Sequence, residues 1–112
     1  MAVRTAYLGE FELMVLLVVI RLDDDAYGVP ISDELKIATG REASLGSVYA
    51  ALERLTRKGY VTSRLADPTP QRGGRAKRYF QATAEGECAI ETSRAAFTRL
   101  WRGIPRLKEV QL

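Results

Sequence analysis

Two stretches of the chain gather side chains able to act on a polyanion. Ser47, Ala50, Ala51, Arg54, Arg57 and Lys58 recur through residues 44–58 at spacings that place them along one side of a helix. Small side chains let a backbone approach base edges, and long cations reach guanine or phosphate, so the mixture suits a helix entering a major groove. Downstream, Arg72, Arg75, Lys77 and Arg78 fall within a seven-residue run that also holds Gly73 and Gly74. A glycine-rich basic tip of this kind follows a phosphate backbone or enters a minor groove. Either stretch alone also describes a solvated surface. In succession they allow two basic elements to face one partner, and double-stranded DNA is the partner that fits.

Charge distribution agrees. The 112 residues carry a formal charge of only +3, but residues 1–40 hold three basic and seven acidic side chains, whereas residues 41–78 hold nine and three. The positive charge is therefore concentrated in the middle third. The chain has no histidine and one cysteine, Cys88. That leaves out internal disulfides, the usual zinc sites and the usual general base. No phosphate loop or nucleophile elbow is present, so no enzyme, cofactor or metal is expected. Leu13–Ile20 is apolar but far short of the roughly 20 residues that span a bilayer. A cytoplasmic protein without membrane contact is the expectation.

The elements that would position these residues follow from periodicity. Residues 8–22 read as a helix that is apolar nearly all round, although their valine content also suits a strand. Pro30 fits the first position of a second helix, which Thr39–Gly40 stops. Ser44 caps a third helix running to about Lys58, with Leu45, Val48, Tyr49, Leu52 and Leu55 on its buried side. Residues 60–62 and 78–81 read as strands joined by an exposed loop at 67–74. Thr83 opens a fourth helix from about Ala84 to Gly103. On it Ile90, Phe97 and Ile104 alternate with Ser93, Leu100 and Leu107 as a short seam.

The fold class is thus mainly α with a small β-hairpin: a winged helix-turn-helix over residues 1–83, followed by a dimerisation helix and tail over 84–112. A second copy would cover Leu13 and Leu17 of the first helix and Ile90, Phe97, Leu100, Trp101 and Ile104 of the fourth.

Specific motifs accompany this order. They are Tyr27-Gly28, residues 46–55 (Gly-Ser-Val-Tyr-Ala-Ala-Leu-Glu-Arg-Leu), Lys58-Gly59-Tyr60-Val61, the basic loop, and residues 79–86 (Tyr-Phe-Gln-Ala-Thr-Ala-Glu-Gly). In sequence and spacing, over about residues 8–102, the chain resembles PadR-type transcriptional regulators. The resemblance implies a winged helix, a homodimer built through the first and last helices, and operator binding that usually represses. It makes the third helix the recognition helix, sets Ser47 and Tyr49 near the DNA backbone, and makes Arg72–Arg78 the wing; Ser44, at the helix cap, is a further candidate DNA contact. Ala50 and Ala82 depart from the proline and leucine frequent in the family, and Pro30 replaces a more polar or aromatic residue.

Other readings carry less. Asp23-x-Asp25-x-Tyr27-Gly28 with Glu34 nearly matches a calcium loop, but Tyr27 fails as a ligand. Cys88 reads as a small buried hydrophobe, with a redox role as the alternative. Trp101 and Phe97 suit a subunit interface, or a pocket for a small aromatic effector. The rival functions are a winged-helix protein-interaction module and a non-specific DNA binder.

Overall fold

A computed structural model describes residues 8–66 and 77–107. Helix α1 (Glu10–Leu22) starts at Gly9, whose N–H donates to Glu12 Oε1 at 2.8 Å. Its apolar run forms a helix and not a strand. Val15, Leu16, Val18 and Val19 are buried, while Leu17 and Ile20 remain 42 % and 41 % exposed. The helix is therefore covered on most of its circumference but not all.

A 3-10 turn at Asp23–Asp25 leads to Ala26, whose carbonyl accepts from Phe80 N–H at 2.8 Å. Helix α2 (Gly28–Thr39) begins two residues before Pro30, with Tyr27 as its cap. Pro30 is the third helical residue, still within the first turn where its missing N–H removes no helical bond. Gly40 ends the helix at φ 75°, a left-handed conformation that glycine adopts without steric cost.

Helix α3 (Leu45–Arg57) is capped as its sequence suggests: Ser47 N–H donates to Ser44 Oγ at 3.1 Å. Val48, Ala51, Leu52 and Leu55 form its buried stripe with Ile31 and Leu35 of α2 and the core of α1. Leu45 and Tyr49, expected on that stripe, are 43 % and 47 % exposed.

Strands β1 (Val61–Leu65) and β2 (Arg78–Ala82) pair antiparallel, with Val61 opposite Ala82 and Arg64 opposite Tyr79. Only Val61 and Phe80 of the two strands are buried, so the hairpin leaves the core as it lengthens. Helix α4 (Ala84–Arg102) follows, and Thr83 anchors its start. The Thr83 hydroxyl donates to Gly59 O at 2.7 Å and accepts from Gly86 N–H at 3.0 Å. A Cβ on Gly86 would lie 2.3 Å from the Tyr60 carbonyl oxygen, so this turn sits directly on the chain entering β1. Beyond Ala89 and Ile90, which touch the core, α4 runs out with Phe97 and Leu100 48 % and 70 % exposed. The architecture is that of a winged helix.

Candidate nucleic-acid interface

The outer side of α3 is built by what its buried stripe leaves over. Gly46, Ala50, Glu53 and Arg57 stand opposite Val48, Leu52 and Leu55 and are exposed. Ser47 and Arg54 flank this line on one edge and Tyr49 on the other. Ala51, expected on the outer side, is 0 % exposed. It lies one turn from both Val48 and Leu55, so its side chain belongs to the core. Glu53, which composition-led reasoning passed over, sits near the centre and binds Arg57 Nη1 through Oε1 at 2.7 Å. The i, i+4 spacing was the available signal.

At the N-terminus of α3, Ser44 and Ser47 are exposed and their hydroxyls lie 3.0 Å apart. A shallow groove runs from there between α3 and the start of α1, lined by Phe11, Arg41, Ser44, Ser47, Ala50 and Arg54. Arg41 lies 4.9 Å over the Phe11 ring and 3.1 Å from Glu10 Oε1.

Two cations toward the other end of α3, Arg54 and Lys58, are tied to one carboxylate. Glu12 is buried at the start of α1. Its Oε2 accepts from Arg54 Nε at 3.0 Å, and its Oε1 accepts from Lys58 Nζ at 2.7 Å. Burial pushes this carboxyl up. Hydrogen bonds from Lys58, the Gly9 amide and Arg54, with the Lys58 charge, more than offset that and hold it below the ordinary glutamate value. Lys58, expected on the outer side, is drawn inward, its side chain 26 % exposed.

Tyr49 connects this helix to the hairpin. Its hydroxyl lies against Gly28, where a Cβ would approach to 2.2 Å. The two motifs Tyr27-Gly28 and Gly46–Tyr49 thus meet in space, and the bare glycine makes the room. Next to Gly28, the Tyr27 ring packs tilted against Tyr79, their centroids 5.2 Å apart, and carries Lys77 Nζ at 3.9 Å. Arg64 lies 4.9 Å over Tyr79, and Arg78 Nη1 donates to Ser63 Oγ at 3.0 Å. Tyr27, Arg64 and Tyr79 were missed by sequence reasoning. Their signal was the cross-strand pairing of Arg64 with Tyr79, visible only once the register is known. Arg72 and Arg75 lie outside the described residues.

The remaining candidates fall as follows. Leu13 and Trp101 are half-buried, and Ile90 packs on the core. Leu17, Phe97, Leu100 and Ile104 are exposed. Cys88 is exposed, not buried, because it points away from the Ala89–Ile90 contact. Glu34, the last residue of the calcium-like pattern, is in α2 and pairs with Arg21 at 2.9 Å. Among the described residues, no three metal-ligating side chains come together and no helix is long and apolar enough to cross a membrane.

Comparisons with known proteins agree with this geometry. The sequence model of the "Transcriptional regulator PadR-like family" matches residues 15–92. No curated protein matches. Among solved structures, a PadR-like transcription factor from Bacteroides fragilis is similar at 21 % identity and a TM-score of 0.73, over 88 % of this chain and 89 % of its own. A transcriptional regulator from Clostridium thermocellum is similar at 22 % identity and TM-score 0.70, over 86 % and 87 %. A PadR family transcriptional regulator from Eggerthella lenta is similar at 23 % identity and TM-score 0.67, over 91 % and 88 %.

Proposed function

The chain belongs to the PadR-like family of transcriptional regulators, and on that premise we propose that it binds a two-fold-symmetric operator as a homodimer and represses transcription in the cytoplasm. Two α3 helices would enter successive major grooves, with half-site centres about one helical turn, ~10 bp, apart or a multiple of that. Arg54 and Arg57 are the proposed groove contacts. Ser44, Ser47, Tyr49, Lys77 and Arg78, with Arg72 and Arg75, are proposed to meet the backbone.

The observation that carries this reading is a chain of contacts joining α3 to the hairpin. The exposed Tyr49 at the edge of α3 rests against the buried Gly28, and the neighbouring Tyr27 carries Lys77 at the outer end of the strand pair. These contacts keep the hairpin beside α3, so that one duplex is proposed to meet both. The exposed Leu17, Phe97, Leu100 and Ile104 are the proposed cover for a second copy. A small aromatic effector between paired α4 helices, near Phe97 and Trp101, could act only by favouring one dimer geometry over another.

Duplex selection from a random pool, followed by anisotropy titration across a salt series, tests the proposal. Enrichment of a two-fold-symmetric site bound far more tightly than scrambled DNA is the expected result. Weak binding that depends on salt but not on sequence would leave only a non-specific binder, and no binding would favour a protein-interaction module. Leu100→Glu should produce monomers in sedimentation and weaken operator binding. A persistent dimer would exclude that seam.

A further inference from the structure

Glu12 is the one charged side chain among the described residues that is buried, at 6 % exposure. It sits on α1, whose next turn carries Val15 and Leu16, both 0 % exposed. Its position is therefore fixed by the core, while its carboxylate reaches the outer end of α3. The contact with Arg54 is specific in its geometry. Only Nε is engaged, at 3.0 Å. Among the described residues, Nη1 and Nη2 make no hydrogen bond, and the Arg54 side chain is 44 % exposed along the groove that Ser44, Ser47 and Ala50 also line.

The edge left free is the one that matters. A guanidinium reads guanine by directing two N–H groups at O6 and N7. An arginine loses rotamer freedom when it makes such a contact, and one already held along its Nε edge has less to lose. We propose that Glu12 is a positioning residue for base reading: it holds the Nε edge of Arg54 so that the Nη pair is presented to the groove, and thereby sharpens the base preference of α3. This rests on the proposal that α3 is the element reading the duplex. The same carboxylate holds Lys58 at 2.7 Å. A merely structural role for Glu12 would make itself felt through fold and affinity, and not through the identity of one base pair.

The test uses the full chain and the duplex obtained by selection. The selected-over-scrambled affinity ratio is measured for wild type, Glu12→Gln, Arg54→Ala and the double variant, together with the preference at each base pair. Glu12→Gln should lower the ratio about tenfold, at the same base pair that Arg54→Ala relaxes, and the double variant should be no worse than Arg54→Ala alone. An undiminished ratio in Glu12→Gln, or a loss that adds in full to that of Arg54→Ala, overturns the proposal.

Should Glu12→Gln fail to fold, the wild-type Arg54 Nε–H resonance decides. Protection from exchange both free and on the selected duplex supports a held arginine, and loss of protection on binding refutes it. If Arg54→Ala leaves every base preference intact, α3 does not read through Arg54 and the role of Glu12 falls, while reading by α3 through Arg57 stands or falls with the enrichment of a selected site. If Arg54→Ala relaxes a base pair and Glu12→Gln does not, only the role of Glu12 falls.

Discussion

The two basic regions hold their cations by different means. At the end of α3, Arg54 and Lys58 are fixed by the buried carboxylate of Glu12 at 3.0 and 2.7 Å. At the outer end of the strand pair, Lys77 and Arg64 rest on the faces of Tyr27 and Tyr79 at 3.9 and 4.9 Å. A charge-assisted hydrogen bond to a carboxylate anchored in the core sets direction as well as distance. A cation over a ring is attracted from a broad range of angles, and at an exposed site the attraction is about 0.5–1 kcal/mol. The first arrangement suits a side chain that must aim at one base edge. The second suits side chains that need only stay near a line of phosphates.

The largest way to break this contrast is to remove the anchor. Glu12→Ala removes the acceptor of the Gly9 amide and the carboxylate bonds of Arg54 and Lys58. Because the Arg54 and Lys58 side chains are 44 % and 26 % exposed, both can turn toward water, which limits the damage. A loss of about 2 kcal/mol in unfolding free energy is expected from denaturant melts. A variant as stable as wild type would mean that the anchor contributes nothing.

Next in size is the division of labour itself. Arg54→Ala should relax discrimination at particular bases by roughly 1–3 kcal/mol. Lys77→Ala should weaken every duplex alike and flatten the salt dependence by about one unit. Anisotropy titrations on a panel of single-base variants measure both. If Lys77→Ala altered base preference while Arg54→Ala weakened all duplexes equally, the assignment of the two regions would be reversed.

How far the sequence foretold these regions depends on the range of the interaction. Local signals were legible. Ser44 and Thr83 as caps, Gly40 as a stop and the β-forming residues of the hairpin each depend on neighbours within a few positions, and each element formed where its pattern lay. The Pro30 start was two residues late, because Tyr27 lacks the side chain of a familiar cap and yet serves as one. The error on the third helix was angular. Too wide an arc put Ala51 and Lys58 on the outer side, whereas the spacing of Val48, Leu52 and Leu55 turns Ala51 into the core. The Glu12 cluster could not have been read from the chain. It joins residues 42 and 46 positions apart, and nothing in the sequence around Glu12 marks it as more than one of two acids in the first turn. Tyr49 against Gly28 was only half visible, since the motifs were evident but not that one makes room for the other.

A smaller effect should separate the regions by acid. Glu12 is held below its ordinary value of 4.5 because its bonds from Lys58, Gly9 and Arg54 outweigh the cost of burial. A carboxyl whose folded value is depressed stabilises the native state fully above its unfolded value, and the contribution is lost as pH falls through the folded value. The melting-temperature gap between wild type and Glu12→Gln should therefore be open near neutrality and narrow as the pH falls below the ordinary glutamate value. A gap that stayed constant would show that ionisation of Glu12 is not what stabilises the fold. Among the described residues no carboxylate pairs with Lys77 or Arg64, so Lys77→Ala should show no corresponding closure.

The smallest expected effect falls where the two regions meet. Tyr27→Leu keeps apolar bulk beside Gly28 but removes the ring beneath Lys77. With the attraction at an exposed ring about 0.5–1 kcal/mol, affinity for all duplexes should fall roughly two- to fivefold, with base preference unchanged. Protection of the Ala66 amide, which donates to the Lys77 carbonyl at 2.8 Å, should fall with it. Tyr27 also adjoins the glycine against which Tyr49 lies, so the substitution tests whether the hairpin and α3 act independently. A shift in base preference on Tyr27→Leu would mean that Tyr49 transmits the loss to α3, and that aiming and holding are one function distributed over both regions. Uniform weakening would mean that the contact at Gly28 joins the surfaces without coupling what they do.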